Sequence, residues 1–290
     1  MTQTLAMLSQ PTDRSPRSKG YRRGFCLLAA VILTAVVLSF VTPSREGEKR
    51  TQLPMVRIAV AANFSVPLAE LTTLFEAGYP YRTETISGST GALYAQITQG
   101  APFDVFLAAD QARPAALEAA GGIVPNSRFT YARGLLALLR LAATDQTKLD
   151  AELVRGNQFR TLAIANPRLA PYGVAARAWL TGQRLLADVQ HKLVYGDNVA
   201  QAGAMVLTGN AELGLVSLAQ ALSQPLATDY WPLPTAQYPA LEQDAVLLKR
   251  AADNPAARAF VEFLRGPSAK ARIAELGYAN AFEGEVVTGP

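Results

Sequence analysis

The chain has 290 residues, half of them hydrophobic, which is enough for one large domain or two medium ones. One cysteine and one histidine exclude an internal disulfide, a Cys/His zinc cluster and a catalytic unit built on histidine and a nucleophile. The chain has 27 Lys or Arg and 23 Asp or Glu, of which the first 50 residues hold eight and three. The rest of the chain therefore has 19 basic and 20 acidic residues and is nearly neutral. A nucleic-acid-binding protein is expected to be more basic, so this class of function is not expected.

The N-terminal segment has the pattern of a targeting sequence. An uncharged apolar run at residues 25–41 follows five basic residues, namely Arg14, Arg17, Lys19, Arg22 and Arg23. This order predicts either a cleaved signal peptide or a retained anchor, and the run is short for a spanning helix but long for a signal peptide. Residues 1–52 are therefore expected to be a targeting segment and spacer. The body is expected in the periplasm or on the outer face of the cytoplasmic membrane.

From residue 55 onward, short β-rich runs alternate with stretches of helical spacing. Strands are predicted at 56–60, 82–86, 104–108, 135–139, 162–165, 193–195, 213–216 and 245–248. Helices are predicted at 68–75, 93–97, 112–120, 174–186, 199–207, 255–264 and 269–276. This alternation predicts an α/β fold with parallel-rich sheets covered on both faces. In such folds, ligands bind at the carboxyl ends of the strands.

Four polar turns occupy that strand-to-helix position. They are Ala-Ala-Asn-Phe at 61–64, Gly-Ser-Thr-Gly at 88–91, Pro-Tyr-Gly at 171–173 and Asp-Asn-Val at 197–199. The first N–H groups of a helix lack intrahelical partners, and the helix dipole favours negative charge there. Because none of the four turns carries Lys or Arg, together they indicate a small dehydrated anion held by neutral donors. Taken singly, each turn is also consistent with an ordinary helix cap or a packed side chain.

Several blocks resemble the periplasmic molybdate-binding proteins that serve ABC transporters. The most specific is Gln-Ile-x-x-Gly-Ala-Pro-x-Asp-Val-Phe-Leu-x-Ala-Asp at 96–110. The other blocks lie at 61–64, 88–97, 166–167, 171–173, 213–216 and 263–267. The similarity extends from about residue 56 to 278, nearly the whole body.

The resemblance implies a two-lobed type II periplasmic-binding-protein clamp with two chain crossovers. Lobe one would comprise residues 53–131 plus 244–290, and lobe two residues 132–243. The implied function is capture of molybdate, and tungstate with it, in the cleft for delivery to the membrane permease of an ABC transporter. The implied protein is a monomer with no cofactor, no catalytic residue and no side chain that ligates a metal directly.

The resemblance also assigns the ligand contacts. Asn63 and Thr90 would be side-chain donors from lobe one, and Ala62 or Ser89 would add a backbone or hydroxyl contact. From lobe two, Tyr172 and Val199 would donate backbone N–H groups. Asn63 stands where many members have serine. Ser217 stands where some members have a ligand tyrosine, which leaves it as a weak substitute.

Two other classes of function are considered. The same fold binds other anions, such as sulfate, phosphate or a small organic acid, and Arg133 and Arg168 are the candidates for a carboxylate clamp. An enzyme would need a pair of acids or a nucleophile with its base. Asp104 and Asp110 are the only paired acids near a turn, so catalysis is not expected. Asp110 is interpreted as a helix cap outside the site, and His191 as a surface residue.

Overall fold

The computed structural model describes residues 53–142, 148–224 and 228–279. All of them belong to one compact unit that begins at Leu53. The predicted targeting segment lies outside the described residues. Within the described ranges, no helix has the length and apolarity needed to cross a bilayer.

The first lobe is built on a five-stranded mixed sheet. Its strands are β1 (Met55–Ala61), β2 (Arg82–Gly88), β3 (Val105–Leu107), β4 (Phe129–Gly134) and β10 (Leu241–Leu247), in the order β2-β1-β3-β10-β4. β1 runs parallel to β2 and β3, whereas β10 is antiparallel to β3 and β4. The helices of this lobe are α1 (Ser65–Gly78), α2 (Thr90–Thr98), α3 (Ala112–Ala119), α9 (Pro255–Arg265) and α10 (Pro267–Glu275). A 3₁₀ turn, Ala62–Phe64, leads directly into α1.

Both faces of the central strand β3 are buried, as its apolar sequence predicts, whereas the edge strand β2 has no buried residue. Val105 and Leu107 pack into one hydrophobic cluster together with Phe260 of α9. The residue between them, Phe106, points to the opposite face and packs with Leu93 of α2. Successive side chains of a strand point to opposite faces, so an uninterrupted apolar strand needs helices on both sides.

The second lobe repeats the plan. Its strands are β5 (Leu136–Leu141), β6 (Leu162–Ala165), β7 (Leu193–Gly196), β8 (Leu213–Ser217) and β9 (Thr228–Pro232), in the order β7-β6-β8-β5-β9. β6 is parallel to β7 and β8, and β5 is antiparallel to β8 and β9. Its helices are α4 (Ala151–Gly156), α5 (Pro171–Gly182), α6 (Leu186–Val189), α7 (Val199–Leu207) and α8 (Leu218–Leu222). Further 3₁₀ turns lie at Gln190–Lys192, Thr235–Gln237 and Lys249–Ala251.

The chain passes between the two sheets twice. It leaves the first sheet after Gly134 and enters the second at Leu136, and it returns between Pro232 and Leu241. The expected α/β class with two sheets and two crossovers is therefore confirmed. The expected lobe boundaries, 131/132 and 243/244, fall inside β4 and β10, which both belong to the first sheet.

Candidate functional site

Four helix starts from the two lobes surround one small pocket, whose cavity volume is only ≈ 10 Å³. Its lining residues are Ala61, Ala62, Asn63, Gly88, Ser89, Thr90, Ala109, Ala170, Pro171, Tyr172, Asn198 and Val199. None of these lining residues carries a charge. All six residues that the sequence singled out are among them, so the fold brings together turns that are up to 137 positions apart in the chain.

The start of α2 supplies two hydroxyl groups from the first lobe. Ser89 caps the helix, and its Oγ accepts the N–H of Ala92 at 3.4 Å. The Oγ1 of Thr90 accepts the N–H of Ala109 at 3.1 Å. A hydroxyl that accepts a backbone N–H keeps its own hydrogen for another acceptor. Both side chains are buried, so a ligand oxygen in the pocket is a suitable partner for that hydrogen.

The prediction that the Asn63 side chain donates to the ligand was wrong. The Nδ2 of Asn63 donates to Oε1 of Gln243 at 2.9 Å and to the hydroxyl of Tyr278 at 3.0 Å. Both amide hydrogens therefore bond to protein in this structure, and the expected side-chain donation from Asn63 to a ligand does not fit this arrangement. Its backbone N–H lies in the 3₁₀ turn at a helix start, where such groups lack helical partners.

The start of α5 reaches the pocket from the second lobe. Pro171 is the first helical residue and has no N–H, so the N–H of Tyr172 is the first that this helix can offer. A Cβ on Gly173 would lie 2.2 Å from the carbonyl oxygen of Ala165. Glycine at this position therefore allows α5 to begin against the end of β6.

The start of α7 is held by two side chains. Asn198 caps it by accepting the N–H of Gln201 at 3.0 Å, which leaves Val199 as the first helical residue. From α8, Nε2 of Gln220 donates to the carbonyl oxygen of Val199 at 3.3 Å. Sequence reasoning missed Gln220, because a glutamine inside a helix carries no motif that reveals its partner.

The prediction that Ser217 is a weak substitute for a ligand tyrosine was also wrong. Ser217 is fully buried, caps α8 and does not line the pocket. Its Oγ donates to Oε1 of Gln220 at 3.0 Å, so it orients the glutamine that contacts Val199. Ser217 thus supports the start of α7 and does not replace a ligand tyrosine.

The electrostatics of the pocket come from the backbone. Each helix N-terminus carries about +0.5 of an elementary charge, so four of them together present roughly +2 elementary charges to the same space. Asp110, which follows the lining residue Ala109, accepts the N–H of Arg113 at 3.0 Å and pairs with its guanidinium group. The N-cap residue of α3 is Gln111, and Asp110 lies one position before it, where its carboxylate binds the first turn of the helix outside the pocket lining. Arg113 was missed as its partner.

Three buried tyrosines lie in or next to the hydrogen-bond network of Asn63 and Gln243 and add no charge to it. Burial raises the pKa of Tyr131, Tyr172 and Tyr278 well above the ordinary value of 10.0. In Tyr172, the hydrogen bond donated by Gln243 acts in the opposite direction and is smaller in effect than burial. All three hydroxyls are therefore neutral at physiological pH.

The other candidate residues lie elsewhere. Arg133 pairs with Glu242 at 2.7 Å, and Arg168 is exposed, so neither lines the pocket. His191 is exposed, as predicted. Within the described part of the chain, His, Cys, Asp and Glu side chains form no group of three that could hold a metal ion.

Comparison with known proteins gives a consistent result. The family model of the bacterial extracellular solute-binding proteins matches residues 56–279. The molybdate-binding protein ModA of Azotobacter vinelandii is 44% identical over 78% of this chain and 90% of its own length. ModA of Rhodobacter capsulatus is 37% identical over 87% of this chain and 96% of its own length.

Among solved structures, the periplasmic molybdate-binding protein of Azotobacter vinelandii superimposes with a TM-score of 0.73 at 36% identity. The match covers 77% of this chain and 98% of that one. By name, all three of these relatives are molybdate-binding proteins. The chain therefore belongs to the bacterial extracellular solute-binding proteins and is related within them to the molybdate-binding proteins.

Proposed function

We propose that this protein captures molybdate, and tungstate with it, in the pocket between its lobes and delivers the anion to the permease of an ABC transporter. The observation that carries the proposal is the meeting of four helix starts around one uncharged pocket. The names of the two ModA relatives support molybdate as the anion. Under this proposal six of the lining residues contact the ligand, namely Ala62, Asn63, Ser89, Thr90, Tyr172 and Val199. Asn63 contacts it through its backbone N–H.

The chemistry of the pocket suits a fully deprotonated tetrahedral dianion. Molybdate at neutral pH only accepts hydrogen bonds, and the pocket offers N–H and O–H donors. Hydrogen bonds to an ionised acceptor are roughly twice as strong as those between neutral groups. A site without Asp or Glu gives no acceptor for the proton that phosphate carries at this pH. Sulfate offers the same pattern of acceptors, so discrimination against sulfate depends on the size of the pocket.

Calorimetric titration of the purified protein with molybdate, tungstate, sulfate and phosphate tests this function. We expect molybdate and tungstate to bind with similar affinity and sulfate and phosphate to bind much more weakly. Sulfate or phosphate binding as tight as molybdate binding would contradict the proposed selectivity and favour a protein for another oxyanion.

Delivery requires a ligand-dependent change in shape. Because both lobes contact the anion only when the cleft is closed, binding shifts the population toward the closed form. Small-angle X-ray scattering should show a smaller radius of gyration with molybdate present. The molybdate-loaded protein, as a monomer, should then stimulate ATP hydrolysis by its reconstituted transporter more than the anion-free protein does.

The proposed location is the periplasm or the outer face of the cytoplasmic membrane. Fractionation of the producing cells, with N-terminal sequencing of the recovered protein, distinguishes the cleaved form from the anchored form. A full-length chain found in the cytoplasm would contradict this location.

A further inference from the structure

One buried side chain contacts both lobes beneath the pocket. Gln243 lies on β10 of the first sheet and is completely buried. Its Oε1 accepts from Nδ2 of Asn63 at 2.9 Å and from the hydroxyl of Tyr131 at 3.0 Å. Its Nε2 donates to the hydroxyl of Tyr172, which belongs to α5 of the second lobe, at 3.4 Å. A single carboxamide thus connects two residues that line the pocket from opposite sides.

The hydrogen-bonding pattern fixes which way the carboxamide points. The hydroxyl of Tyr278 donates its one hydrogen to the carbonyl oxygen of Asn63 at 2.7 Å, so toward the Asn63 side chain it can only accept. The NH₂ group of Asn63 therefore faces Tyr278, and its second hydrogen faces Gln243. Gln243 must then present its oxygen to Asn63 and its NH₂ group to Tyr172.

The hydrogen bond between Gln243 and Tyr172 lies next to the first chain crossover, beside Gly134. A Cβ on Gly134 would lie 2.2 Å from the Tyr172 hydroxyl and 2.5 Å from Nε2 of Gln243. Gly134 is the last residue of β4, immediately before the chain enters the second lobe. The absence of a side chain at this position allows the Tyr172 hydroxyl to reach the glutamine.

We infer that Gln243 is a positioning residue that holds the closed clamp by linking Asn63 in one lobe to Tyr172 in the other. The link places the start of α5 over the pocket, so the closed form gains a hydrogen bond that depends on the position of the second lobe. Loss of this bond should speed release of the anion. The inference depends on the proposed function, because it assumes an oxyanion in this pocket.

The test compares single and double variants with the wild-type protein. Tyr172→Phe removes the hydroxyl but keeps the ring and the backbone N–H, and Gln243→Met keeps the length of the side chain without its polar atoms. Tyr131→Phe is the matched control, since it removes a bond to the same carboxamide from within the first lobe. Molybdate affinity is measured by calorimetry, and the dissociation rate by stopped-flow fluorescence. Thermal unfolding of the anion-free proteins reports whether each variant folds.

We expect Tyr172→Phe and Gln243→Met each to weaken molybdate binding by about three- to tenfold, mainly through faster dissociation. The double variant should bind no more weakly than the poorer single variant, because both remove the same link. Tyr131→Phe should change the dissociation rate by less than about twofold. If Gln243→Met does not fold, Tyr172→Phe carries the test against its control.

The possible failures are distinguishable. A wild-type protein that binds none of the four oxyanions overturns the proposed function and this inference together. A wild-type protein that binds molybdate, with Tyr172→Phe equal to it in affinity and dissociation rate, overturns this inference alone. Additive effects in the double variant, or an equal effect of Tyr131→Phe, would also overturn it.

Discussion

The backbone N–H of Gly91 in the first lobe donates to the carbonyl oxygen of Leu169 in the second lobe at 2.9 Å. A Cβ on Gly91 would lie 2.9 Å from that oxygen and 3.1 Å from Nη2 of Arg113. The two lobes thus approach each other at the level of the backbone, beside the pocket-lining residue Thr90. Only a residue without a side chain permits this approach of the two lobes.

We expect Gly91→Ala to weaken anion binding because the added methyl group opposes closure. The cost should be about 1–3 kcal/mol in binding free energy, as for overpacking at a tight contact. Calorimetry measures the affinity, and small-angle scattering with saturating molybdate measures closure. Gly78→Ala is the control, since a Cβ there meets nothing within 4 Å. Unchanged affinity in Gly91→Ala would show that the contact is not needed for binding.

Thr90→Val should weaken binding by about 1–3 kcal/mol, because it keeps the shape of the side chain and removes the hydroxyl donor. Thr90→Ser restores the hydroxyl and should recover most of the affinity. Thr98→Val changes an exposed threonine at the other end of the same helix and should have no effect. Wild-type affinity in Thr90→Val would remove Thr90 from the ligand contacts.

Arg113→Gln should weaken binding by about 0.5–1 kcal/mol, because it leaves the carboxylate of Asp110 without its cation near the pocket. The double variant Asp110→Asn with Arg113→Gln should regain the lost affinity, since asparagine also caps a helix and brings no charge. Titrations at low and high salt should show the deficit shrinking as salt is added. A deficit that is independent of both Asp110 and salt would refute an electrostatic role.

Anion affinity should be constant between about pH 6 and 9, since the residues that line the pocket have no group that titrates there. Calorimetric titrations at several pH values and constant ionic strength test whether the affinity is constant. A step in affinity within that range would indicate an ionisable group at the ligand.

Stability should fall in alkaline solution. The raised pKa of Tyr131, Tyr172 and Tyr278 means that the unfolded chain loses these protons before the folded one does. Their contribution is complete below pH 10.0 and is lost as the pH rises from there toward the folded-state pKa values. Thermal unfolding across this range measures the loss, and Tyr131→Phe should make the decline shallower. Exposed Tyr230→Phe should leave the slope unchanged.

Local sequence patterns predicted much of the fold. Every strand that the alternation predicted is present, because the spacing of apolar residues and the β-branched content of a short run are local signals of a strand. β4 and β9 were missed. Polar and aromatic residues interrupt Phe129–Gly134 and Thr228–Pro232, and the pairing of these strands with distant partners compensates for their weak pattern.

The sequence by itself determined that several uncharged helix starts follow strand ends, since polar turns and helical spacing are properties of neighbouring residues. Only the tertiary structure decided what each side chain does there: that the Asn63 amide bonds to Gln243 and Tyr278, and that Ser217 orients Gln220. The physical reason is that a hydrogen bond depends on distance and direction in space. Partners separated by 180 positions, as Asn63 and Gln243 are, leave no local pattern in the chain.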